Sequence, residues 1–401
     1  MNALFFNIPA YGHVNPSLPL VTALTRRGHT VTYYNTERFR AVIESAGAQF
    51  QPYAAFDDAY IEAHKLDGTS PNRIALELMR LTARVLPSLI DEVNRLQPDV
   101  IIYDGLAPWG FYLAQIVRLP SVVSLAILPL VIPSSAALVN LSVIGAVVSM
   151  MLSDIQQGVK AWQLAKTLAQ QYAIKPLAAT QLLNAPGDLA ISYTSAAFQA
   201  NAKSVPHVRF VGRELPEYPL DPSFSFDAVR GRRVIYISLG TVNNQNVDFF
   251  RACIQAFAHQ DVFVIISTGG GIDADLFAPL PDNIALYDWV AQTDVLARAS
   301  LFITHGGLNS IHDGLGYGVP LLLVPQQGEQ TMNALRVVEL GAGLRIHKKQ
   351  VTPERLRADA KRVLDDPRFH KAAADIGATF RAAGGVRCAA DAIERLVALR
   401  G

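Results

Sequence analysis

The sequence predicts an α/β protein with two doubly wound domains that face each other across a cleft. The chain has 401 residues, of which 50% are hydrophobic, and this length exceeds what one hydrophobic core usually supports. Short apolar runs alternate with helical patterns in both halves, as is typical of parallel sheets covered by helices on both faces. Residues 212–231 contain three prolines and lack clean periodicity, which indicates a linker between the halves.

The predicted strands of the first half are ALFFNI, TVTYY, DVIIY, SVVSLA and DLAIS, and the main helices span 17–27 and 73–96. Those of the second half are RVIYIS, VFVIIS, IALY, LFIT and PLLLV. We therefore place the first domain at 1–211 and the second at 232–375, and the remaining residues, 376–401, form an Ala- and Arg-rich segment with helical spacing.

Charge and cysteine usage exclude several classes of protein. With 35 basic and 34 acidic residues the net charge is +1, which disfavours nucleic acid as a partner. Cys253 and Cys388 are far apart, so neither a disulfide framework nor a thiolate metal site is indicated. The apolar run Ala3–Phe6 is too short for a signal peptide, so a cytoplasmic location is expected.

The stretch 119–153 carries no charged residue, so it could form either a transmembrane helix or a helix that is buried or lines a pocket. Within it, 138–152 has the hydropathy of a membrane helix, but Pro120, Pro129 and Pro133 break the stretch and leave less than the ~20 residues that a bilayer requires. We predict no transmembrane span and a buried or pocket-lining helix instead.

The turn after the strand LFIT is the strongest candidate for a ligand site. His305 to Ser310 connects this strand to a helix predicted to begin near Leu308, so backbone and side-chain donors gather at the positive end of a helix. Gly307 allows a close backbone approach, and Asn309 can cap the helix or donate to an anion. The turn therefore suits a diphosphate, although a well-capped helix alone would also explain it.

Side chains near this turn could complete a nucleotide-sugar site. An aromatic ring suits a base, a carboxylate one and a half turns into the helix suits hydroxyls, and a carboxylate–amide pair suits a sugar. The residues in question are Trp289, Gln292, Asp313, Glu329 and Gln330. Core packing is the alternative for Trp289. His305, His312 and Asp313 do not form a recognised metal cluster, so no metal is predicted.

His13 and Asp104 each follow a strand of the first half, so the two side chains can converge at the carboxyl edge of one sheet. A carboxylate that accepts a hydrogen bond from one imidazole N–H fixes the tautomer, as in a catalytic dyad. A solitary histidine or a strand-terminal aspartate is also commonly structural.

The run HGGLNSIHDGLGYGVPLLLVPQQGEQ and the amino-terminal NALFFNIPAYGHVNPSLPLVTALTRRGHTVTYY resemble the family 1 UDP-glycosyltransferases, specifically the bacterial macrolide-glycosyltransferase type. The resemblance covers nearly the whole chain. It implies the GT-B architecture of two Rossmann-like domains, with the carboxyl-terminal helix of 376–401 packing back on the first domain.

The resemblance also implies residue roles. His13 would be the base and Asp104 its orienting acid, and the donor site would include Ser238, Thr241, Trp289, Val290, Gln292, His305, Gly307, Asn309, Ser310, Asp313, Glu329 and Gln330. Two positions depart from the family pattern: Ala291 replaces a frequent proline, and Asp313 replaces a common glutamate, which puts its reach to the ribose in doubt. Gln330 favours glucose over galactose, N-acetylglucosamine or a deoxysugar.

The implied reaction is inverting transfer from a UDP-sugar, which is a co-substrate, with no cofactor and no essential metal. A nucleotide-sugar epimerase or hydrolase on the same fold is one alternative, and a non-catalytic sugar-nucleotide-binding protein is another. No G-x-G-x-x-G follows the first strand, so nicotinamide chemistry is disfavoured.

For the acceptor, the sequence indicates only the kind of pocket that would surround it. Tyr11, Trp109, Phe111 and the uncharged stretch 127–152 could line an apolar cavity beside His13. Hydroxylated polyketides, flavonoids or sterol-like compounds are the expected acceptors. The alternative is that these aromatic side chains belong to the domain core.

Overall fold

The computed structural model describes residues 1–64, 70–127, 153–200, 202–215, 229, 231–240, 244–326 and 328–400. It separates into two compact units, and each is described by itself. Unit 1 comprises Met1–Gly212 together with Ala383–Gly401, and unit 2 comprises Arg213–Ala382.

Unit 1 is built on a parallel sheet to which the described residues contribute seven strands, in the order β3-β2-β1-β4-β5-β6-β7. The strands are β1 (Asn2–Phe6), β2 (Thr30–Asn35), β3 (Gln49–Pro52), β4 (Val100–Asp104), β5 (Ser121–Leu125), β6 (Leu189–Ser192) and β7 (Val208–Phe210). The order reverses between β1 and β4, and such a switch point opens a crevice at the carboxyl ends of the strands.

Helices cover both faces of this sheet. They are α1 (Tyr11–Arg26), α2 (Arg40–Ser45), α3 (Asp58–His64), α4 (Pro71–Leu96), α5 (Pro108–Val117), α6 (Ile155–Gln171) and, from the end of the chain, α13 (Gly385–Arg400). Alternate residues of β1 enter opposite cores: Leu4 packs with α4 and α5, whereas Phe5 packs with α1 and α13. This alternation is the period of two expected for a strand that is buried on both faces.

Unit 2 repeats the plan with six strands among its described residues, in the order β10-β9-β8-β11-β12-β13. The strands are β8 (Val234–Ser238), β9 (Phe263–Ser267), β10 (Ile284–Tyr287), β11 (Leu301–Thr304), β12 (Leu321–Leu323) and β13 (Gly343–Arg345). All pairings are parallel, and the switch point lies between β8 and β11.

The helices of unit 2 are α7 (Val247–Phe257), α8 (Gln292–Leu296), α9 (Leu308–Gly316), α10 (Gly328–Glu339), α11 (Pro353–Asp365) and α12 (Pro367–Ala382). One face of the sheet packs on α7 and α11 through buried residues such as Ile237, Phe250 and Leu356. The two parallel sheets confirm the predicted fold class.

The structure differs from the sequence-based elements in three respects. Strands β3, β7 and β13 were not predicted, and each is a short edge strand, where polar residues such as Gln49 and Arg209 are tolerated because one side faces solvent. Helix α1 begins at Tyr11 rather than near residue 17, because Pro16 and Pro19 lie inside it at the helical φ that proline already prefers.

The third difference is a boundary. Helix α12 is continuous to Ala382 and stays in unit 2, so the returning segment begins at Ala383 rather than at 376. The returning helix α13 then packs on α1 in unit 1 through Val386, Ala389 and Ile393.

No helix among the described residues is long and apolar enough to cross a membrane. The candidate span 138–152 and most of the uncharged stretch, 128–152, lie outside the described residues.

Candidate active site

His13 and Asp104 meet at the carboxyl edge of the unit 1 sheet. Imidazole Nδ1 of His13 lies 2.9 Å from Oδ2 of Asp104, and the two side chains are 13% and 1% exposed. The other carboxylate oxygen, Oδ1, accepts a hydrogen bond of 2.8 Å from the backbone N–H of Leu106. Asp104 is therefore held from two sides, and by accepting from Nδ1–H it favours the tautomer in which Nε2 carries the lone pair.

Strand register explains why two residues so distant in sequence meet. In the parallel pairing of β1 with β4, Phe6 lies opposite Tyr103, so Asn7 and Asp104 are the next residues of adjacent strands. His13 stands in the first turn of α1, not in a loop as the sequence suggested, because the helix begins only five residues after β1 ends. The dyad therefore rests on a strand end and a helix start.

The side chain of Asn7, the residue after β1, anchors the first turn of α1. Its buried side-chain amide donates to the backbone carbonyl of His13 (3.1 Å) and to the hydroxyl of Tyr33 (2.7 Å). Ser17 contacts the same hydroxyl at 2.8 Å. This network fixes the backbone of His13, and sequence reasoning missed it because a buried asparagine carries no pattern of its own.

The unit 2 sheet presents His305 at the equivalent place. Ser238 lies opposite Thr304 in the pairing of β8 with β11, so Leu239 and His305 are the next residues of adjacent strands. The hydroxyl of Thr304 lies 3.3 Å from Nδ1 of His305. Burial lowers the pKa of His305 to about 4, against the smaller opposing effect of a hydrogen bond with the Ser238 backbone. The imidazole of the free protein is therefore neutral at pH 7, so it can act as a neutral hydrogen-bond donor.

Two glycines make room for this imidazole. A Cβ on Gly240, whose φ is +78°, would lie 2.6 Å from Cε1 of His305, and a Cβ on Gly307 would collide with Nε2. Side chains larger than hydrogen at either position would displace the ring. The glycines are thus as much part of the site as the histidine.

Helix α9 begins directly after this turn, with Gly307 as its N-cap and without a side-chain cap bond. Asn309 and Ser310 therefore lie in the first turn of the helix instead of capping it. The first backbone N–H groups of a helix have no partner within it, so they remain suited to an anion.

The aromatic side chain that is predicted to stack on the nucleotide base is open to solvent. Trp289 is 62% exposed and follows β10, and Val290 beside it is partly buried. The indole Nε1 packs near Gly270, where a Cβ would lie 3.2 Å away. This indole is therefore not part of the core, and its exposed ring is accessible for stacking.

The carboxylate of Asp313 is enclosed by other side chains. The residue is 6% exposed, and Oδ1 accepts from Nε (3.2 Å) and Nη2 (3.1 Å) of Arg213 while Oδ2 accepts from the amide of Gln292 (2.9 Å). Arg213 was assigned to the linker by the sequence. Its partner is 100 positions away, a separation at which no local pattern reveals a pairing.

The remaining donor residues are placed as follows. Glu329 is exposed in the first turn of α10, and the side-chain oxygen of Gln330 accepts from the backbone N–H of Gln326 at 2.8 Å. Ser238 ends β8 and is nearly buried, whereas Thr241 lies outside the described residues. Among the residues that are described, no three His, Cys, Asp or Glu side chains form a group that could hold a metal ion.

Two predicted acceptor residues need correction. Trp109 is fully buried, with Nε1 donating to the Tyr53 hydroxyl (3.2 Å) and its ring packed against Tyr53 and Phe56, so it belongs to the core. Phe111 lines a groove of about 490 Å³ with Ser121 and Asp188, which lie at the amino ends of β5 and β6. That edge of the sheet is opposite to the edge that carries Asp104.

Tyr11 remains on the dyad's side of the sheet. It begins α1, is 46% exposed, and its ring packs edge-on against Phe39 with 4.8 Å between centroids. The structure therefore keeps one of the three predicted acceptor aromatics near His13.

Each unit therefore has a doubly wound sheet with a histidine at its switch point, next to Asp104 in unit 1 and next to a helix N-terminus in unit 2. Comparison with known proteins identifies the chain as a sugar-transferring enzyme of the GT-B class. The domain family described as "Erythromycin biosynthesis protein CIII-like, C-terminal domain" matches residues 251–399. The glycotransferase of kitacinnamycin has the same fold, with a TM-score of 0.85, 29% identity and 99% of each chain covered.

Two curated relatives extend over nearly the whole chain. The NDP-glycosyltransferase YjiC of Bacillus subtilis is 33% identical, with 97% of this chain and 95% of the relative covered. The demethyllactenocin mycarosyltransferase of Streptomyces fradiae is 31% identical, with 98% and 86% covered. The chain belongs to the family 1 glycosyltransferases, of the bacterial macrolide-glycosyltransferase type.

Proposed function

We propose that this protein is an inverting glycosyltransferase that moves a sugar, in the first instance glucose, from a UDP-sugar to a hydroxyl of an apolar small-molecule aglycone. The observation that carries the proposal is the 2.9 Å contact between His13 and the buried Asp104 at the switch point of unit 1. A histidine oriented by a carboxylate is an arrangement that enzymes use for general-base catalysis.

In the proposed reaction Nε2 of His13 takes the proton of the acceptor hydroxyl. The acceptor oxygen forms a bond to the anomeric carbon, and the bond from that carbon to the diphosphate oxygen breaks, so the nucleotide diphosphate leaves with the electron pair. Attack opposite the leaving group inverts the anomeric configuration. Asp104 stabilises the imidazolium that forms, because its carboxylate already accepts from Nδ1.

Unit 2 would bind the donor. Trp289 offers an exposed face for the base, and the first turn of α9 and the neutral imidazole of His305 offer N–H donors for the diphosphate. Donors already in place where negative charge develops stabilise the leaving group. We assign no metal to the reaction, and undiminished activity in a chelator would support this.

The sugar and the acceptor rest on weaker support. Glu329 and Gln330 begin α10, and by resemblance they contact the sugar, with glucose favoured by the glutamine. Relatives named for demethyllactenocin and kitacinnamycin support a natural-product acceptor. Polyketides are therefore the first acceptor class to test, followed by flavonoids and sterol-like compounds. The cytoplasmic location expected from the sequence stays a prediction.

The test is a transfer screen that crosses UDP-glucose, UDP-galactose, UDP-N-acetylglucosamine and thymidine-diphosphate deoxysugars with hydroxylated aglycones, read by mass spectrometry. The expected product is an acceptor heavier by one hexose and dependent on both substrates. Donor consumed or isomerised without any acceptor would identify an epimerase or hydrolase. Nucleotide-sugar binding without turnover would identify a binding protein.

A further inference from the structure

Arg213, Asp313 and Gln292 form a chain of hydrogen bonds within unit 2. The guanidinium of Arg213 makes two contacts, of 3.1 and 3.2 Å, with the same carboxylate oxygen of Asp313, and the other oxygen accepts from Nε2 of Gln292 at 2.9 Å. The side chains of Arg213 and Asp313 are only 15% and 9% exposed. The carboxylate is therefore enclosed and its charge is matched by the guanidinium.

This arrangement sets the orientation of the Gln292 amide. An amide oxygen turned toward a carboxylate would be repelled, so the NH₂ group must face Asp313. The amide oxygen Oε1 then points away from the carboxylate, and Gln292 is the partly exposed member of the pair. The group presented outward is thus a hydrogen-bond acceptor.

The position of Gln292 matches one part of a nucleoside diphosphate. Gln292 starts α8 three residues after the exposed Trp289, and Asp313 lies on α9, whose first turn follows His305. In a nucleotide the pentose connects the base to the phosphates. A ligand with its base at Trp289 and its phosphates at the start of α9 would carry its pentose hydroxyls, which are donors, past this amide.

We propose that Arg213 is a positioning residue for donor selection: it holds Asp313, which orients the Gln292 amide, and this amide reads a pentose hydroxyl of the donor nucleotide. The inference rests on the proposed donor site in unit 2. It gives Arg213, which lies in the segment 212–231 that the sequence assigns to a linker, a part in selecting the nucleotide. Without Arg213 the enclosed carboxylate has lost its matching charge, and the amide is no longer held in one orientation.

The experiment measures dissociation constants by calorimetry for UDP, 2′-deoxy-UDP and 3′-deoxy-UDP. The wild-type protein should prefer UDP over at least one deoxynucleotide by roughly tenfold, the usual worth of one hydrogen bond. Arg213→Met should bring this preference close to parity, and Arg213→Lys, which keeps the charge but not the paired N–H groups, should fall between.

Arg381→Met is the matched control, because Arg381 donates to the backbone oxygen of Gly316 at the carboxyl end of α9, the end opposite to the proposed phosphate site. It should keep the wild-type preference. Thermal unfolding of every variant identifies any that fails to fold, and Gln292→Leu, which removes the reading amide at a more exposed position, should lose the preference independently.

The outcomes separate the two claims. If wild-type protein does not bind UDP, the proposed donor is wrong and the inference falls with it. If it binds UDP but shows no preference over either deoxynucleotide, or if Arg213→Met weakens all three nucleotides by the same factor, the inference alone is overturned. A merely structural role for Arg213 predicts the latter result, since general loosening does not single out one hydroxyl.

Discussion

The carboxyl edges of the two sheets carry the same residue type in two different settings. Both sheets reverse their strand order beside their central strand, and in both a histidine stands at that switch point. His13 of unit 1 contacts a buried carboxylate, whereas His305 of unit 2 contacts a hydroxyl and is closely surrounded by Gly240 and Gly307. The fold supplies the place, and the neighbours decide the chemistry.

The two settings suit the two histidines to different tasks: His13 to accepting a proton, and His305 to donating a hydrogen bond as an uncharged ring. A carboxylate at Nδ1 stabilises the imidazolium and suits a base that must become charged. Burial without a carboxylate contact of that kind favours the uncharged ring, and the pKa of His305 is accordingly lowered to about 4. In the proposed function, one sheet edge would move a proton and the other would hold an anion.

The largest expected effect comes from removing the first histidine. His13→Ala should lower turnover on the order of 10²-fold or more, the usual scale for a positioned base, and leave UDP affinity unchanged. Steady-state kinetics and calorimetry check the two halves. His29→Ala is the control, because His29 also contacts a carboxylate, Glu394 at 2.7 Å, yet precedes β2 at the opposite edge of the sheet. Near-wild-type turnover of His13→Ala would contradict the assigned role.

A smaller loss should follow from changing the carboxylate. Asp104→Asn should reduce turnover on the order of 10-fold or more, since an amide cannot accept from both Nδ1 of His13 and the N–H of Leu106 through two oxygens. UDP binding again should not change. A variant that alters UDP affinity but not turnover would place Asp104 in the scaffold instead of the reaction.

The comparison predicts the opposite result in unit 2. His305→Ala should weaken UDP binding by about tenfold, the worth of a hydrogen bond to a charged group. Gly307→Ala keeps the imidazole but pushes it aside, so it should show a similar loss. His347→Ala, a histidine that accepts from the Lys349 N–H elsewhere in unit 2, serves as the control. Tight UDP binding by both variants would remove His305 from the diphosphate site.

Much of this comparison could be predicted from the sequence, because strands buried on both faces are apolar and their last residues share one edge. His13, Asp104 and His305 were found in that way. The Trp109 prediction failed because an aromatic after a strand can turn inward or outward, and only packing against Tyr53 and Phe56 decides which. Arg213 was missed because ion pairs between distant segments leave no local pattern.

The smallest expected effect is on stability, and it concerns His312, one turn beyond the start of α9. Burial lowers its pKa to about 3, with a further contribution from Arg213, against about 6.5 in an unfolded chain. Between pH 6.5 and the folded value the unfolded chain takes up a proton that the folded chain does not, so stability is full above pH 6.5 and declines as the pH falls. The decline is at most about 1.4 kcal/mol per pH unit for this group.

Urea unfolding of wild type and His312→Gln at pH 7.5 and pH 5 tests this, since glutamine does not titrate. The variant should lose less stability between the two pH values, even if both values are lowered by the lost packing against Phe380. Equal losses would mean that His312 takes up its proton in the folded state as readily as in the unfolded one.

The return of α13 to unit 1 has a consequence for how the chain is made. The 170 contiguous residues of Arg213–Ala382 (382 − 213 + 1) are all synthesised before unit 1 receives its last helix. Until Gly385–Arg400 is synthesised, the apolar surface of α1 that includes Leu20 and Leu24 has no cover from Ala389 and Ile393. Unit 1, which carries the proposed base, is therefore interrupted by unit 2 along the chain and is completed only once α13 has been made.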